Sequence, residues 1–71
     1  MSIRVVIAED EAIIRLDLKE TLEEEGYDVV GETGRGDTAL QLVRDLRPDL
    51  AILDIKMPGM TGLEVAAELN A

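Results

Sequence analysis

Residues 50–59 read Leu50-Ala51-Ile52-Leu53-Asp54-Ile55-Lys56-Met57-Pro58-Gly59, an aliphatic run that ends on one carboxylate and then breaks at Pro-Gly. An apolar run with no polar alternate marks a strand buried on both faces, as in a parallel sheet covered by helices. Asp54 therefore falls at the C-terminal end of a strand. Upstream, Ile3-Arg4-Val5-Val6-Ile7-Ala8 repeats the pattern: it is apolar but for one residue, rich in β-branched side chains, and ends abruptly in Glu9-Asp10-Glu11. A third, shorter strand is expected from Tyr27 to Val30.

The segments between these strands have helical spacing. From Glu11 to Glu25 the residues Ile14, Leu18 and Leu22 recur every four positions, with Ile13 and Leu16 beside them and charges elsewhere, and Gly26 is the natural stop. Gly31 to Gly36 holds three glycines in six residues and reads as loop. A second helix is expected from Asp37 or Thr38, the latter having Gln41 at capping-box spacing, with Ala39, Leu40, Val43 and Leu46 on one face until Pro48 closes the segment. Thr61 and Glu64 share that spacing ahead of Leu63, Val65, Ala66 and Leu69, so a third helix is expected to begin near Gly62. The order β-α-β-α-β-α with short turns predicts right-handed crossovers and an α/β, doubly wound parallel sheet with helices on both faces.

Composition narrows the function. The 71 residues include Tyr27 as the sole aromatic, so the core is built from Val, Ile, Leu, Ala and Met. Sixteen acidic against seven basic side chains give a net charge of -9, which argues against nucleic acid or an anionic membrane as a direct partner and favours a cation or a basic protein surface. Cysteine is absent, which removes disulfides and thiolate metal sites. The longest apolar run is far below the roughly 18 residues of a membrane span, and a cytoplasmic location fits.

Ligands of open parallel sheets sit at the C-terminal ends of the strands, where the winding reverses. Both acidic endings, Glu9-Asp10 and Asp54, lie at such ends. A strand order of 2-1-3 makes the first and third strands neighbours and brings these carboxylates into one crevice. Like charges held that close repel, a cost that a divalent cation removes, and hard oxygen donors suit Mg²⁺. A carboxylate can also act as a nucleophile toward a phosphoryl group, with the metal offsetting charge, and Asp54 is the best placed for that role.

The stretches Val5-Val6-Ile7-Ala8-Glu9-Asp10-Glu11 and Pro48-Asp49-Leu50-Ala51-Ile52-Leu53-Asp54-Ile55-Lys56-Met57-Pro58-Gly59-Met60-Thr61-Gly62-Leu63-Glu64 closely resemble the response-regulator receiver domains of two-component signalling. The resemblance implies a flavodoxin-like fold with the 2-1-3 strand order. It implies Asp54 as phosphoacceptor, Glu9 and Asp10 with Asp54 as the Mg²⁺-binding acids, and Lys56 as a metal ligand through its backbone carbonyl. It also implies a histidine kinase as phosphodonor, with Ile13, Leu16 and Asp17 on the first helix as candidate contacts, and a signalling module rather than an enzyme. Ala8-Glu9-Asp10-Glu11 with Arg15, Asp17-Leu18 and Glu25-Gly26-Tyr27 is most similar to receivers joined to ANTAR-type antiterminator output domains. Residues 1–71 correspond to the first three βα units, a partial receiver domain without an output domain; the family's switch Ser/Thr and invariant Lys follow its fourth and fifth strands and have no counterpart here.

Two functions follow from that resemblance. One is phosphotransfer onto Asp54; the alternative is a half-receiver inactive in phosphotransfer that serves as a self-associating folding or assembly unit. An unpaired third-strand edge recruits another strand, so a homodimer through that edge is expected in either case. Some residues have plainer readings. Thr61 reads as a helix cap, and the glycines of residues 31–36 lack the spacing of a phosphate-binding loop.

Overall fold

The strand β1 (Arg4–Ala8) lies between β2 (Asp28–Thr33) and β3 (Leu50–Leu53), parallel to both, so the sheet order is β2-β1-β3. The computed structural model describes residues 2–71. Central position explains composition: Val5, Val6 and Ile7 are wholly buried and Ala8 nearly so, because helices cover both faces of this strand. Three helices complete the chain: α1 (Ala12–Glu24), α2 (Gly36–Leu46) and α3 (Gly62–Leu69). The helices α2 and α3 pack together on the face where Ala8, Ala39 and Met57 form a buried cluster with Leu53 against it. The helix α1 packs on β1 and β2 from the other face. The doubly wound α/β arrangement is as expected from the sequence pattern, and the 2-1-3 order is the one the family resemblance implies.

Several boundaries differ, each for a reason that lies outside the local sequence. Strand β2 runs from Asp28 to Thr33, so Gly31 belongs to the sheet and not to a loop. The β1 partners pass from Val29 to Gly31, a bulge at Val30, and a Cβ on Gly31 would stand 3.1 Å from Leu46 Cδ1 of α2. Helix α2 starts at Gly36, earlier than Asp37 or Thr38. The expected capping box does not form there, because Thr38 is already inside the helix and Gln41 Nε2 instead donates to Asp45 Oδ1 at 3.0 Å. Arg47, in the left-handed conformation at φ 47°, ends α2 ahead of Pro48. Helix α3 does carry its box: the Glu64 N–H donates to Thr61 Oγ1 at 3.1 Å and the Thr61 N–H to Glu64 Oε1 at 3.0 Å.

The inner line of α1 is also different. Arg15, Leu18, Lys19 and Leu22 are the half-buried residues, whereas Ile14 is 50% exposed and Ile13 is 84% exposed. Leu18 and Leu22 of the expected stripe thus face the sheet while Ile14 stands at its exposed margin, and an arginine occupies the first turn of the half-buried line. Among the described residues no helix is long and apolar enough to cross a membrane.

Candidate functional site

Two strand ends are stitched side by side at the C-terminal edge of the sheet. Ala8 stands opposite Leu53 in the β1–β3 register, and the Asp54 N–H donates to the Ala8 carbonyl at 2.8 Å. The next residue on β1, Glu9, is fixed from the other side, its N–H donating to the Thr33 carbonyl of β2 at 3.0 Å. Backbone bonds therefore set where Glu9, Asp10 and Asp54 emerge. One carboxylate oxygen from each of these residues lies within 4.8 Å of the others. The juxtaposition expected from the sequence is present.

Charge is concentrated here. The Glu11 N–H donates to Glu9 Oε1 at 3.1 Å and is the largest single influence on the Glu9 carboxyl, acting to lower its pKa. Partial burial and the neighbouring Asp54 and Asp10 together outweigh that bond, so the Glu9 carboxyl is held above its ordinary value of 4.5. Glu9 and Asp54 are half-buried and Asp10 is exposed. Together with Glu11, Ile14, Ile55 and Lys56 they line an open cleft of about 540 Å³. At about 30 Å³ per water, this has room for a cation, its waters and a phosphoryl group.

The donor set fits Mg²⁺: three carboxylates converge, no nitrogen or sulfur ligand is among them, and the open cleft leaves places for water. Lys56 lines the same cleft. Thr61, by contrast, has its hydroxyl committed to the α3 cap.

Sequence reasoning passed over the residues that hold the Asp54 loop and the acidic loop in place. A Cβ on Gly62 would overlap the Asp54 carbonyl, and the Gly62 N–H donates to the Ile55 carbonyl at 3.0 Å. Gly36, the buried first residue of α2, touches the Met60 carbonyl where a Cβ would stand, and its N–H donates to the Pro58 carbonyl at 3.0 Å. Gly59, at φ +87°, faces Asp37, whose carboxylate is paired with Arg35 through two 3.0 Å bonds. Close approach of two backbones explains Gly36 and Gly62, and the positive φ explains Gly59; no local pattern could have distinguished them from loop glycines. Arg15 was noticed for resemblance alone; its side chain reaches back to the acidic loop, Nη1 donating to the Glu9 carbonyl at 2.7 Å.

Comparison with known proteins agrees with this geometry. The profile of the response regulator receiver domain matches residues 5–71. The transcriptional regulatory protein PdtaR of Mycobacterium tuberculosis is 54% identical over 66 residues, which are 93% of this chain and 32% of that protein. The chemotaxis protein CheY of Thermotoga maritima is 38% identical over 69 residues, 97% of this chain and 58% of CheY. The signal receiver domain of NarL from Mycobacterium tuberculosis superposes with a TM-score of 0.94 at 38% identity, covering 97% of this chain and 56% of that domain's chain. The chain spans about a third of the length of transcriptional regulators such as PdtaR, at 32%.

Proposed function

Because the chain belongs to the response-regulator receiver family, we propose that Asp54 accepts a phosphoryl group from a histidine kinase, with Mg²⁺ held by Glu9, Asp10, Asp54 and the backbone carbonyl of Lys56. The observation that carries this reading is the convergence of three carboxylates, one from each of Glu9, Asp10 and Asp54, within 4.8 Å at adjacent strand ends. When bound there, Mg²⁺ supplies charge neutralisation, offsetting both the mutual repulsion of the acids and the negative oxygens of the incoming group.

The residues of the chain do the rest. Asp54, presented at a strand end by its bond to the Ala8 carbonyl, attacks phosphorus with a carboxylate oxygen. A P–O bond forms as the P–N bond of the kinase phosphohistidine breaks, and the imidazole leaves with its electron pair and takes up a proton. Glu9 and Asp10 orient the cation that makes this approach possible. The product is an acyl phosphate on the domain's own side chain, so the chain acts as a signalling acceptor and not as a turnover enzyme. The location in this reading is the cytoplasm, and similarity to ANTAR-linked receivers makes an RNA-binding antiterminator the output favoured for a longer chain.

The test is intact-protein mass after incubation with a small-molecule phosphodonor, with and without Mg²⁺, and with Asp54→Asn as control. A metal-dependent adduct absent from the variant is expected; an adduct that persists in Asp54→Asn refutes the assignment.

A second reading applies to residues 1–71 taken alone and rests on the outer edge of β3, which pairs with no strand among the described residues. Leu50 on that strand is 44% exposed. In this reading two copies pair β3 to β3 into one sheet, as a homodimer. Light scattering at micromolar concentration decides it, since a folded monomer removes the idea.

A further inference from the structure

The inner line of α1 begins with an arginine whose charge is of the wrong sign to help a cation site, yet its guanidinium is aimed at that site's backbone. Arg15 Nη1 donates to the Glu9 carbonyl at 2.7 Å, and the same side chain is 21% exposed. Its position is fixed from β2: Arg15 Nε lies 3.6 Å from Glu32 Oε1, and Lys19 Nζ lies 3.5 Å from Glu32 Oε2. The Glu9 main chain is thereby held on both sides of its Cα, its N–H on the Thr33 carbonyl and its C=O on Arg15. That C=O belongs to the peptide plane joining Glu9 to Asp10, so its direction sets how both acids leave the main chain. Gly34 completes the arrangement. A Cβ there would stand 2.8 Å from Arg15 Nη1, while Asp10 Cα would be at an ordinary 3.5 Å.

We propose that Arg15 is a positioning residue for the divalent-cation site, fixing the Glu9–Asp10 peptide from α1, with Gly34 kept small to leave room for its guanidinium. This rests on the reading of Glu9, Asp10 and Asp54 as that site. Outer groups that orient metal ligands are worth about 10–100-fold in metal affinity. The sign of the effect separates this role from simple electrostatics. A positive charge beside the site repels Mg²⁺, so removing it without any loss of geometry tightens binding; loss of positioning weakens it.

The experiment is a double-mutant cycle on the intact protein, read as the Mg²⁺ dissociation constant by calorimetry with MgCl₂ alone and as melting temperature in a chelator. Wild type, Arg15→Met, Gly34→Ala and the double variant are compared. Each single variant is expected to bind Mg²⁺ about tenfold more weakly, and the double variant no more weakly than Arg15→Met, since the added methyl has no guanidinium left to displace. Gly34→Ala keeps the charge, so its loss cannot come from electrostatics, and its metal-free melting temperature is expected to fall no further than that of Arg15→Met, which loses the same bond. Single variants that bind as tightly as wild type or tighter, or losses that add in the double variant, overturn the role of Arg15. A wild type that binds no Mg²⁺ overturns the reading of the acids as a cation site and this proposal with it.

Discussion

The two ends of the sheet treat charge in opposite ways. At the end where the strands begin, Arg4 is tied into the structure: its backbone N–H donates to Asp49 Oδ2 at 2.9 Å, and its Nη1 donates to the carbonyls of Leu46 at 2.8 Å and Arg47 at 3.2 Å. It closes the C-terminal end of α2, where free carbonyls favour a cation. At the end where the strands finish, Glu9, Asp10 and Asp54 meet with no cation salt-bridged to any of them among the described residues. Even the arginine nearest them, Arg15, spends its guanidinium on the Glu9 carbonyl and on Glu32, not on a carboxylate of the site. Folding alone would select the first arrangement. The second carries a standing repulsion, the cost that the proposed cation would remove.

That contrast can be broken most completely at Asp54. Asp54→Asn is expected to abolish the Mg²⁺-dependent phosphoryl adduct seen by intact mass while leaving the circular dichroism spectrum unchanged. Asp10→Asn comes next, weakening Mg²⁺ binding by more than about tenfold in calorimetry. The opposite end should behave as structure alone: Arg4→Met is expected to cost about 1.5–3 kcal/mol in urea denaturation, the value of a charged hydrogen bond, with Mg²⁺ affinity unchanged. A large change in affinity from Arg4→Met would erase the division between the ends. Thr61→Ala removes the α3 cap and is expected to cost about 1 kcal/mol, again without effect on Mg²⁺ binding.

The smallest effect sharpens the comparison by its sign. The Glu9 carboxyl is held above its ordinary 4.5, so the folded chain binds its proton more tightly than the unfolded chain does. Its contribution to stability is present below the ordinary value and is lost as pH rises through the raised one. At neutral pH the ionised group therefore opposes folding. Glu9→Gln should raise the metal-free melting temperature slightly at about pH 7, with the gain vanishing at about pH 4 where Glu9 itself is protonated. In excess Mg²⁺ the order should reverse, because the variant has lost a ligand. Equal melting curves at both pH values would remove the repulsion from the account of this site.

Much of the architecture was readable in the chain because its signals are local. Uninterrupted aliphatic runs at Val5–Ala8 and Leu50–Leu53 marked two strands, of which β1 is buried as expected and β3 only half-buried because its outer edge is unpaired among the described residues, and the Thr61/Glu64 spacing marked a helix start that forms as expected. The same spacing at Thr38/Gln41 misled, since α2 had already begun at Gly36 under the demand of its bond to Pro58. The stripe of α1 held at Leu18 and Leu22 but not at Ile13 and Ile14, because periodicity cannot say how far round a helix the sheet reaches when isoleucines are exposed beside a half-buried arginine.

By itself, then, the amino-acid sequence determined the order of elements and the placement of carboxylates at two strand ends, because strand burial, helix period and caps are encoded within a few consecutive residues. Tertiary structure alone decided that β2 continues through Gly31 to Thr33, that Gly36 and Gly62 seat the Asp54 loop, and that Arg15 turns inward onto Glu9. These depend on how closely two distant pieces of backbone approach, a distance that no local pattern of side chains records.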